Sequence, residues 1–322
     1  MKKIIFPLIR GKSGGDIYFE NIKDCVRELD INIVYSKNYY KFFPFLIKNN
    51  YPCDVFHCTS NEVLWNLRKK KQKKIISILH LFYEKDYNDY LNFKQRIYYN
   101  TMYKRYLKKS LPHADKIISI SKYTQKRLKE LFGYDSEVIY PCIDVNKFKP
   151  DSKIRNNEKI RIFFSGNSSK RKGFDLLPKI MEKLGRDYEL YCTGLRSYNS
   201  KFKNMEYLGN LSKEELVKTY NNCDILLSPS RLEGFGLSVA EAMACGKPCV
   251  VTNCSSLPEL IDNKGGYLCE RDNVNDFAEK IRILAKDRKL REKMGKYNKE
   301  KIVNKFSFEA LKNKYLELYK KI

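Results

Sequence analysis

Two glutamates flank the segment of this sequence whose residue types are best suited to chemistry. Glu233 precedes a loop with glycines at positions 234 and 236, and Glu241 lies eight positions further on, in a helical stretch closed by Gly246. Glycines permit sharp turns and let main-chain N–H groups approach a ligand closely. The amino end of a helix adds unpaired N–H donors and partial positive charge. The segment is therefore suited to holding a diphosphate between two carboxylates.

The elements that must position this segment follow from the pattern of apolar residues. Short apolar runs alternate with helical periodicity, which predicts parallel sheets covered by helices. The predicted strands are residues 4–6, 31–35, 54–58, 74–79, 116–120, 137–140, 159–165, 188–192, 224–228 and 247–251. This number of strands exceeds one ordinary open sheet for a chain of 322 residues. Two doubly wound α/β domains fit better.

Composition narrows the class of protein. The hydrophobic fraction of 43% is ordinary for a globular chain, and no run approaches the ~20 apolar residues of a membrane span. We therefore expect a soluble, cytoplasmic protein. Its ten cysteines form no CxxC pair, which predicts reduced, mostly buried thiols. Cys245, Cys249 and Cys254 lie close together in sequence, so a zinc site is a weaker alternative.

The net charge of +25 is spread over both halves of the chain. Nucleic acid, an anionic membrane or a polyphosphate ligand would each suit such an excess, and a general compositional bias would also explain it. Residues 94–110 are rich in Tyr, Lys and Arg, and Phe93, Ile97, Leu107 and Leu111 are compatible with one apolar face. This helix would suit docking on an anionic membrane, or it packs on the core with a solvated basic side.

The string Glu233-Gly-Phe-Gly-Leu, followed by Glu241-Ala-Met-Ala-x-Gly-x-Pro, resembles the E-x7-E signature of the retaining glycosyltransferases of family 4. The resemblance implies the GT-B fold, with two Rossmann-like domains facing across a cleft. It places Glu233 beside the donor sugar and Glu241 on the ribose hydroxyls. Gly234 and the main chain of Phe235, Gly236 and Leu237 would hold the diphosphate. A local alternative remains for Glu241, because Ser238 and Glu241 match a helix capping box.

Other segments match the same family in the same order. Residues 163–177 resemble its basic phosphate clamp, in which Lys172 matches the family lysine. Asn167 stands where the family has an arginine, so Arg171 or the neighbouring Lys170 would take that role. The alternative is a solvated surface cluster. Residues 207–224 resemble the element that cups the nucleobase, which assigns Leu211 to the donor site.

The resemblance extends more loosely to the first half of the chain. Gly14 and Gly15 match the family's glycine loop near the donor phosphates or the acceptor, and His80 matches a histidine near the sugar. We place an acceptor-binding domain at residues 1–148 and a nucleotide-sugar-binding domain at 149–305, with a linker in 141–159. Residues 306–322 would form a final helix that crosses back to the first domain.

The resemblance implies transfer of a hexose from a UDP- or GDP-linked donor to a glycan or lipid-linked acceptor. The family retains configuration by front-face substitution. No Asp-x-Asp motif follows a strand, so we expect neither a metal nor another cofactor. Two alternatives stay open. One is a GT-B protein that binds donor without turnover. The other is a basic nucleic-acid-binding protein, although no nucleic-acid module is recognised.

Overall fold

The structure is a computed structural model that describes residues 2–9, 14–36, 52–59, 71–81, 88–151, 159–194 and 203–322. The chain divides into two compact units. The first unit comprises Met1–Cys142 with Phe308–Ile322, and the second comprises Ile143–Ser307. The predicted linker, residues 141–159, includes the first boundary between the units. Within the described ranges, no helix has both the length and the apolar character needed to cross a membrane.

Unit 1 contains a parallel six-stranded sheet in the order β2-β1-β3-β4-β5-β6. Its strands are β1 (Lys3–Ile9), β2 (Asp30–Ser36), β3 (Val55–Cys58), β4 (Lys73–Ile78), β5 (Lys116–Ser119) and β6 (Glu137–Val138). The central strands β3 and β4 are buried almost throughout. Such burial explains their continuous apolar runs, because helices cover both faces of a parallel sheet.

The helices of unit 1 are α1 (Gly14–Cys25), α2 (Phe93–Tyr98), α3 (Lys104–Ser110), α4 (Lys122–Phe132) and the C-terminal α11 (Phe308–Lys321). The C-terminal helix packs against α1 within this unit. Its buried residues are Leu311, Tyr315, Leu318 and Tyr319. The C-terminal helix therefore buries its apolar face within unit 1, although it follows unit 2 in the chain.

Unit 2 contains a second parallel six-stranded sheet, in the order β12-β11-β10-β7-β8-β9. Its strands are β7 (Ile160–Phe164), β8 (Tyr188–Thr193), β9 (Met205–Gly209), β10 (Ile225–Ser228), β11 (Cys249–Thr252) and β12 (Gly266–Cys269). Its helices are α5 (Leu177–Leu184), α6 (Lys213–Asn222), α7 (Leu237–Ala244), α8 (Leu257–Leu260), α9 (Val274–Lys286) and α10 (Arg288–Phe306). The strand order reverses between β7 and β10, which is where doubly wound sheets bind ligands.

All ten predicted strands are present, but the prediction missed β9 and β12. Both missed strands lie at the edges of the second sheet. β9 contains Glu206 and has one buried residue, and β12 begins at Gly266 and is half buried, so neither shows the fully buried apolar run that marks a central strand.

The predicted helix at 94–110 is not one regular helix. A π-helical segment, Tyr99–Tyr103, separates α2 from α3. Leu107 is buried as predicted, whereas Phe93 is 77% exposed and Ile97 is 48% exposed. The prediction of one continuous apolar face was therefore wrong for the first half. The physical reason is that a π turn holds more residues than an α turn and shifts the faces on its two sides out of phase.

A buried polar network joins the last helix to the first sheet within unit 1. His57 on β3 lies 2.7 Å from the hydroxyl of Tyr319 through Nδ1 and 2.7 Å from the hydroxyl of Ser77 through Nε2. The Ser77 hydroxyl also lies 2.9 Å from that of Tyr18 on α1. Each ring nitrogen thus has a partner that suits neutral imidazole, in which one nitrogen donates and the other accepts.

We expect His57 to make folding stability depend on pH. Burial lowers the pKa of His57 from 6.5 to about 3 in the folded chain, so the folded ring stays neutral where the unfolded ring is protonated. The contribution of neutral His57 to folding stability is fully present above pH 6.5 and is lost as the pH falls toward 3. The free energy of unfolding should therefore change by at most ~1.4 kcal/mol per pH unit because of this histidine. Urea unfolding of wild type and His57→Gln at pH 7 and pH 5 measures it.

The comparison between variants isolates this histidine from other titrating groups. The difference in unfolding free energy between wild type and His57→Gln should shrink on going from pH 7 to pH 5. The exposed His113 gives a matched control, because His113→Gln should keep the wild-type dependence. An unchanged difference between wild type and His57→Gln at the two pH values would contradict the expectation.

Candidate active site

Side-chain hydroxyls hold the backbone that leads into the basic turn after β7 and the start of the turn itself. Gly166 donates its N–H to the Thr193 hydroxyl at 2.7 Å, and that hydroxyl donates to the Gly166 carbonyl at 2.9 Å. Lys170–Lys172 then form a 3-10 turn that ends at Gly173, whose φ is 70°. The side chain of Ser169 caps this turn. These contacts determine the backbone positions from which the side chains of Arg171 and Lys172 extend.

Glu233 meets both basic residues of this turn. Lys172 Nζ donates to Glu233 Oε1 at 2.6 Å, and Arg171 Nη1 lies 3.6 Å from Oε2. Arg171 also donates to the Leu232 carbonyl at 2.9 Å. The side chain of Glu233 is 5% exposed, and those of Arg171 and Lys172 are 16% and 15% exposed. The alternative of a solvated surface cluster is therefore wrong for Arg171 and Lys172.

Two cationic groups meet the single carboxylate of Glu233 in this cluster. Burial lowers the pKa of Lys172, and the nearby Glu233 carboxylate opposes that shift. Buried charges of this kind are costly unless paired, and the two cationic groups would attract an anionic ligand.

Arg231 ties the basic turn to the loop that carries Glu233. It is buried and forms two hydrogen bonds to Asp175, at 2.7 and 3.0 Å, and one to Asp272 at 2.7 Å. It also donates to the Lys170 carbonyl, and its main-chain N–H donates to the Arg171 carbonyl at 2.8 Å. The guanidinium thus fixes the backbone of both segments at once.

Two serines after β11 hold the peptide groups of Glu233. The Glu233 N–H donates to the Ser255 hydroxyl at 2.8 Å, and the Ser256 hydroxyl donates to the Glu233 carbonyl at 3.1 Å. Ser255 adopts a φ of 48°, a left-handed conformation that a residue other than glycine seldom adopts. The residue with this strained backbone, Ser255, is therefore the one that accepts the Glu233 N–H.

The glycine loop enters α7 as the sequence indicated. Gly236 has a φ of 101° and caps the helix, which begins at Leu237. The ring of Phe235 is buried against Phe306, with ring centroids 5.5 Å apart. Gly234 is buried between Glu233 and this ring. The loop thus turns its one large side chain into the core and leads directly into a helix amino end, the feature that binds anions.

Glu241 lies on α7 with its carboxylate buried. Oε2 accepts a hydrogen bond from the Tyr220 hydroxyl at 3.0 Å. Burial raises the pKa of Glu241 to about 7, although the Tyr220 hydrogen bond and the charges of Lys213 and Lys172 oppose the shift. Lys172 therefore acts electrostatically on both glutamates, which the fold brings to one place.

The predicted capping box at Ser238 and Glu241 is wrong. Gly236 is the capping residue, so Ser238 already lies inside the helix, and no side chain caps the amino end. The helix begins two residues earlier than a Ser238 cap would require. By contrast, Ser212 and Glu215 form a capping box at the start of α6, with both of its hydrogen bonds present.

The other predicted site residues lie at the carboxyl ends of strands or just beyond. Gly14 and Gly15 form the first turn of α1, which follows β1, and His80 follows β4 in the same sheet. The His80 carbonyl accepts a hydrogen bond from Tyr103 at 3.4 Å. In unit 2, Leu211 lies between β9 and α6. The structure brings together Arg171, Lys172, Glu233 and Glu241 within unit 2.

The cysteines are free thiols, and all but Cys53 are buried. Burial raises the pKa of Cys245 to about 12 and that of Cys249 well above its usual value. Cys254 donates to the Ser230 carbonyl at 3.1 Å. Over the described ranges, no group of three or more His, Cys, Asp or Glu residues is arranged to hold a metal ion.

Sequence patterns did not indicate the contacts of Tyr220, Arg231 and Ser255 in this site. Arg231 had a usable signal, because a charged residue three positions after the buried strand β10 and two before Glu233 needs a partner. Tyr220 had none, since its partner lies 21 positions away on another helix. Ser255 is recognised only from its backbone conformation.

Known proteins match this chain over most of its length. A family model described as Glycosyl transferases group 1 matches residues 145–301, and one described as Glycosyltransferase Family 4 matches residues 14–147. An uncharacterized glycosyltransferase of Methanocaldococcus jannaschii is 35% identical over 63% of this chain and 59% of its own length.

Two further proteins are similar to parts or all of the chain. The N,N'-diacetylbacillosaminyl-diphospho-undecaprenol alpha-1,3-N-acetylgalactosaminyltransferase of Campylobacter jejuni is 37% identical over 43% of this chain and 36% of its own length. The chain thus spans about half of these curated relatives. The solved structure of Anabaena HepE in complex with UDP and glucose superposes over 100% of both chains, with a TM-score of 0.82 and 14% identity.

The family matches agree with the observed fold. Each unit is a parallel sheet with helices, and the two family models divide the chain near residue 145, close to the boundary between the units. The chain belongs to the glycosyltransferases of family 4 and group 1, and it has the GT-B fold.

Proposed function

We propose that this protein transfers a hexose from a UDP- or GDP-linked donor to a glycan or lipid-linked acceptor, with retention of configuration. The observation that supports it most is the buried Glu233, held between Lys172 and Arg171 beside the glycine loop. This cluster follows β7 and β10, the adjacent strands at which the order of the second sheet reverses. Nucleotide ligands bind doubly wound sheets at that point.

In this proposal, the leaving diphosphate receives its charge stabilisation from the protein. Arg171, Lys172 and the amino end of α7 supply positive charge that is already in place before the donor binds. Such preorganised charge is worth more than the same groups in water, because they need not reorganise during the reaction. A metal ion or other cofactor is not needed for this role. Glu233 orients the donor sugar, and Glu241 accepts hydrogen bonds from the ribose hydroxyls.

The acceptor hydroxyl would attack from the face on which the diphosphate leaves, and a phosphate oxygen would take its proton. Main-chain groups of Gly234, Phe235, Gly236 and Leu237 would hold the diphosphate, and Leu211 would lie beside the base. Gly14 and Gly15 remain our proposed donor contacts on unit 1, and His80 would be a catalytic residue that holds or polarises the donor sugar. Anabaena HepE binds UDP and glucose, and the Campylobacter jejuni relative is named for a diphospho-undecaprenol acceptor. These two proteins support a UDP-linked donor and a lipid-linked acceptor.

A thermal-shift panel of UDP- and GDP-sugars tests donor binding. A ligand at about 100 times its dissociation constant stabilises the folded chain by ~2.7 kcal/mol, so a true donor should raise the melting temperature. Release of free nucleotide on addition of an acceptor mixture then tests turnover. Stabilisation without release would favour the alternative of donor binding alone. Salt-sensitive binding to nucleic acid with no response to any sugar nucleotide would favour the other alternative.

We also propose that the protein works in the cytoplasm and touches an anionic membrane through α2 and α3. Phe93 and Ile97 are exposed on α2, and the exposed Lys94 on α2 and Lys108 and Lys109 on α3 add positive charge to these helices. Apolar side chains beside lysines suit the boundary of a negatively charged bilayer. The free, mostly buried thiols fit a reducing compartment.

Sedimentation with lipid vesicles tests the membrane contact. The protein should bind vesicles that contain phosphatidylserine and not vesicles of phosphatidylcholine alone, and the double variant Phe93→Ser and Ile97→Ser should bind about tenfold more weakly. The exposed Ile283 and Val303 lie in unit 2, so their replacement by serine provides a matched control. Equal binding to both kinds of vesicle, or none, would contradict the proposal.

A further inference from the structure

We propose that Tyr220 is a positioning residue that holds Glu241 in place for the ribose of the donor. This inference rests on the proposed function, in which Glu241 binds that ribose. The Tyr220 hydroxyl donates to Glu241 Oε2 at 3.0 Å, and both side chains are buried. The contact joins two helices, α6 and α7, that follow different strands.

The packing of Tyr220 is built around this contact. Tyr220 is the buried residue of α6, a helix whose other side chains are exposed or only partly buried. Its ring packs on Phe163 with centroids 5.1 Å apart and on Phe148 with centroids 6.1 Å apart. Both contacts are edge-on, an arrangement that fixes the ring. The hydroxyl is therefore held at one position rather than turning freely toward solvent.

The charged and polar groups around Glu241 come from several elements. Lys213 and Tyr220 face it from α6, Lys172 from the turn after β7, and Cys245 from the end of α7. Ser165, at the end of β7, hydrogen bonds to Tyr220. Burial is the largest influence and raises the pKa of Glu241 to about 7, and the Tyr220 hydrogen bond is the largest that opposes it. Tyr220 thus keeps more of Glu241 in its charged form near neutral pH.

The charge matters because of what a ribose diol needs. The two oxygens of a carboxylate offer about four acceptor positions, so one position can accept from Tyr220 while two others accept from the ribose hydroxyls. A protonated carboxyl group becomes a donor at one oxygen and loses acceptor capacity. Nucleotide affinity should therefore fall as the pH drops through the pKa of Glu241, because the ligand favours the unprotonated state.

The variant Tyr220→Phe tests the inference while keeping the ring. Calorimetric titration with UDP and GDP from pH 6 to 9 measures affinity without requiring turnover. Loss of the hydrogen bond should move the midpoint of the affinity profile about one pH unit upward. Affinity should then be about fivefold weaker than wild type at pH 7 and should converge with wild type toward pH 9. The rate at saturating donor should stay within about twofold.

Two further variants make the result decisive. Tyr297→Phe removes a comparable hydrogen bond, from the Tyr297 hydroxyl to Asp262 at 2.8 Å, and should leave the affinity profile unchanged. Glu241→Gln should weaken affinity and abolish its pH dependence in this range. A Tyr220→Phe midpoint equal to that of wild type would overturn the role of Tyr220, even if the variant were less stable. Failure of the wild-type chain to bind either nucleotide would instead overturn the proposed function.

Discussion

Replacement of Glu233 by glutamine should lower the rate of sugar transfer by about 10²- to 10³-fold while the chain stays folded. The amide keeps the size of the side chain but cannot balance the charge of Lys172, which donates to Glu233 at 2.6 Å. It also cannot offer a carboxylate to the donor sugar. The loss should therefore appear in kcat, because the interaction acts on the reacting sugar.

Binding of the nucleotide alone should respond in the opposite direction. With Glu233 neutral, Arg171 and Lys172 present two positive charges without their carboxylate partner, so UDP or GDP should bind equally well or more tightly. Titration calorimetry measures this affinity, and nucleotide release measures transfer. A simple loss of folding would weaken both quantities together, so the divergence of the two identifies a role at the sugar.

Glu189 offers a matched control for this substitution. Its carboxylate lies 3.5 Å from Lys159 and 3.7 Å from Arg161 within the same sheet, so it also has one lysine and one arginine partner. Arg161 and Glu189 pair near the amino ends of β7 and β8, away from the loops that carry Glu233. Glu189→Gln should leave transfer within about twofold of wild type. Full transfer activity in Glu233→Gln would disprove the proposed role of Glu233.

Replacement of Gly173 by alanine should have the largest effect on the structure of the site. Gly173 has a φ of 70°, and an added Cβ would lie 2.0 Å from the Pro229 carbonyl oxygen. The backbone must shift to relieve that overlap, which separates the turn of Arg171 and Lys172 from the loop after β10. We expect a loss of about 2–5 kcal/mol of folding stability together with loss of nucleotide binding.

The variant Gly133→Ala shows how much stability is lost through the left-handed backbone alone, without a steric clash. It has a similar φ of 77°, but nothing lies within 4 Å of an added Cβ. Gly133→Ala should cost only the ~1 kcal/mol of a left-handed alanine and should leave nucleotide binding unchanged. Urea unfolding and titration with UDP or GDP measure both effects. Equal destabilisation of the two variants would show that the contact with Pro229 is unimportant.

Local sequence patterns were sufficient for much of the fold. Central strands such as β3 and β10 are recognisable because burial on both faces demands a continuous apolar run. The capping box at Ser212 and Glu215 is equally local, since both partners belong to one helical turn. The same rule failed for Ser238 and Glu241, because it requires the position of the helix start, which Gly236 sets.

The sequence by itself determined the parallel α/β architecture, the glycine loop that enters a helix, and the two glutamates that flank it. Only the tertiary structure decided what those glutamates contact. Lys172 and Glu233 are 61 positions apart, and Tyr220 and Glu241 are 21 apart. The strand order places the loops after β7 and β10 side by side. Periodicity and turn chemistry act over a few residues, whereas the pairing of buried charges depends on which strands become neighbours.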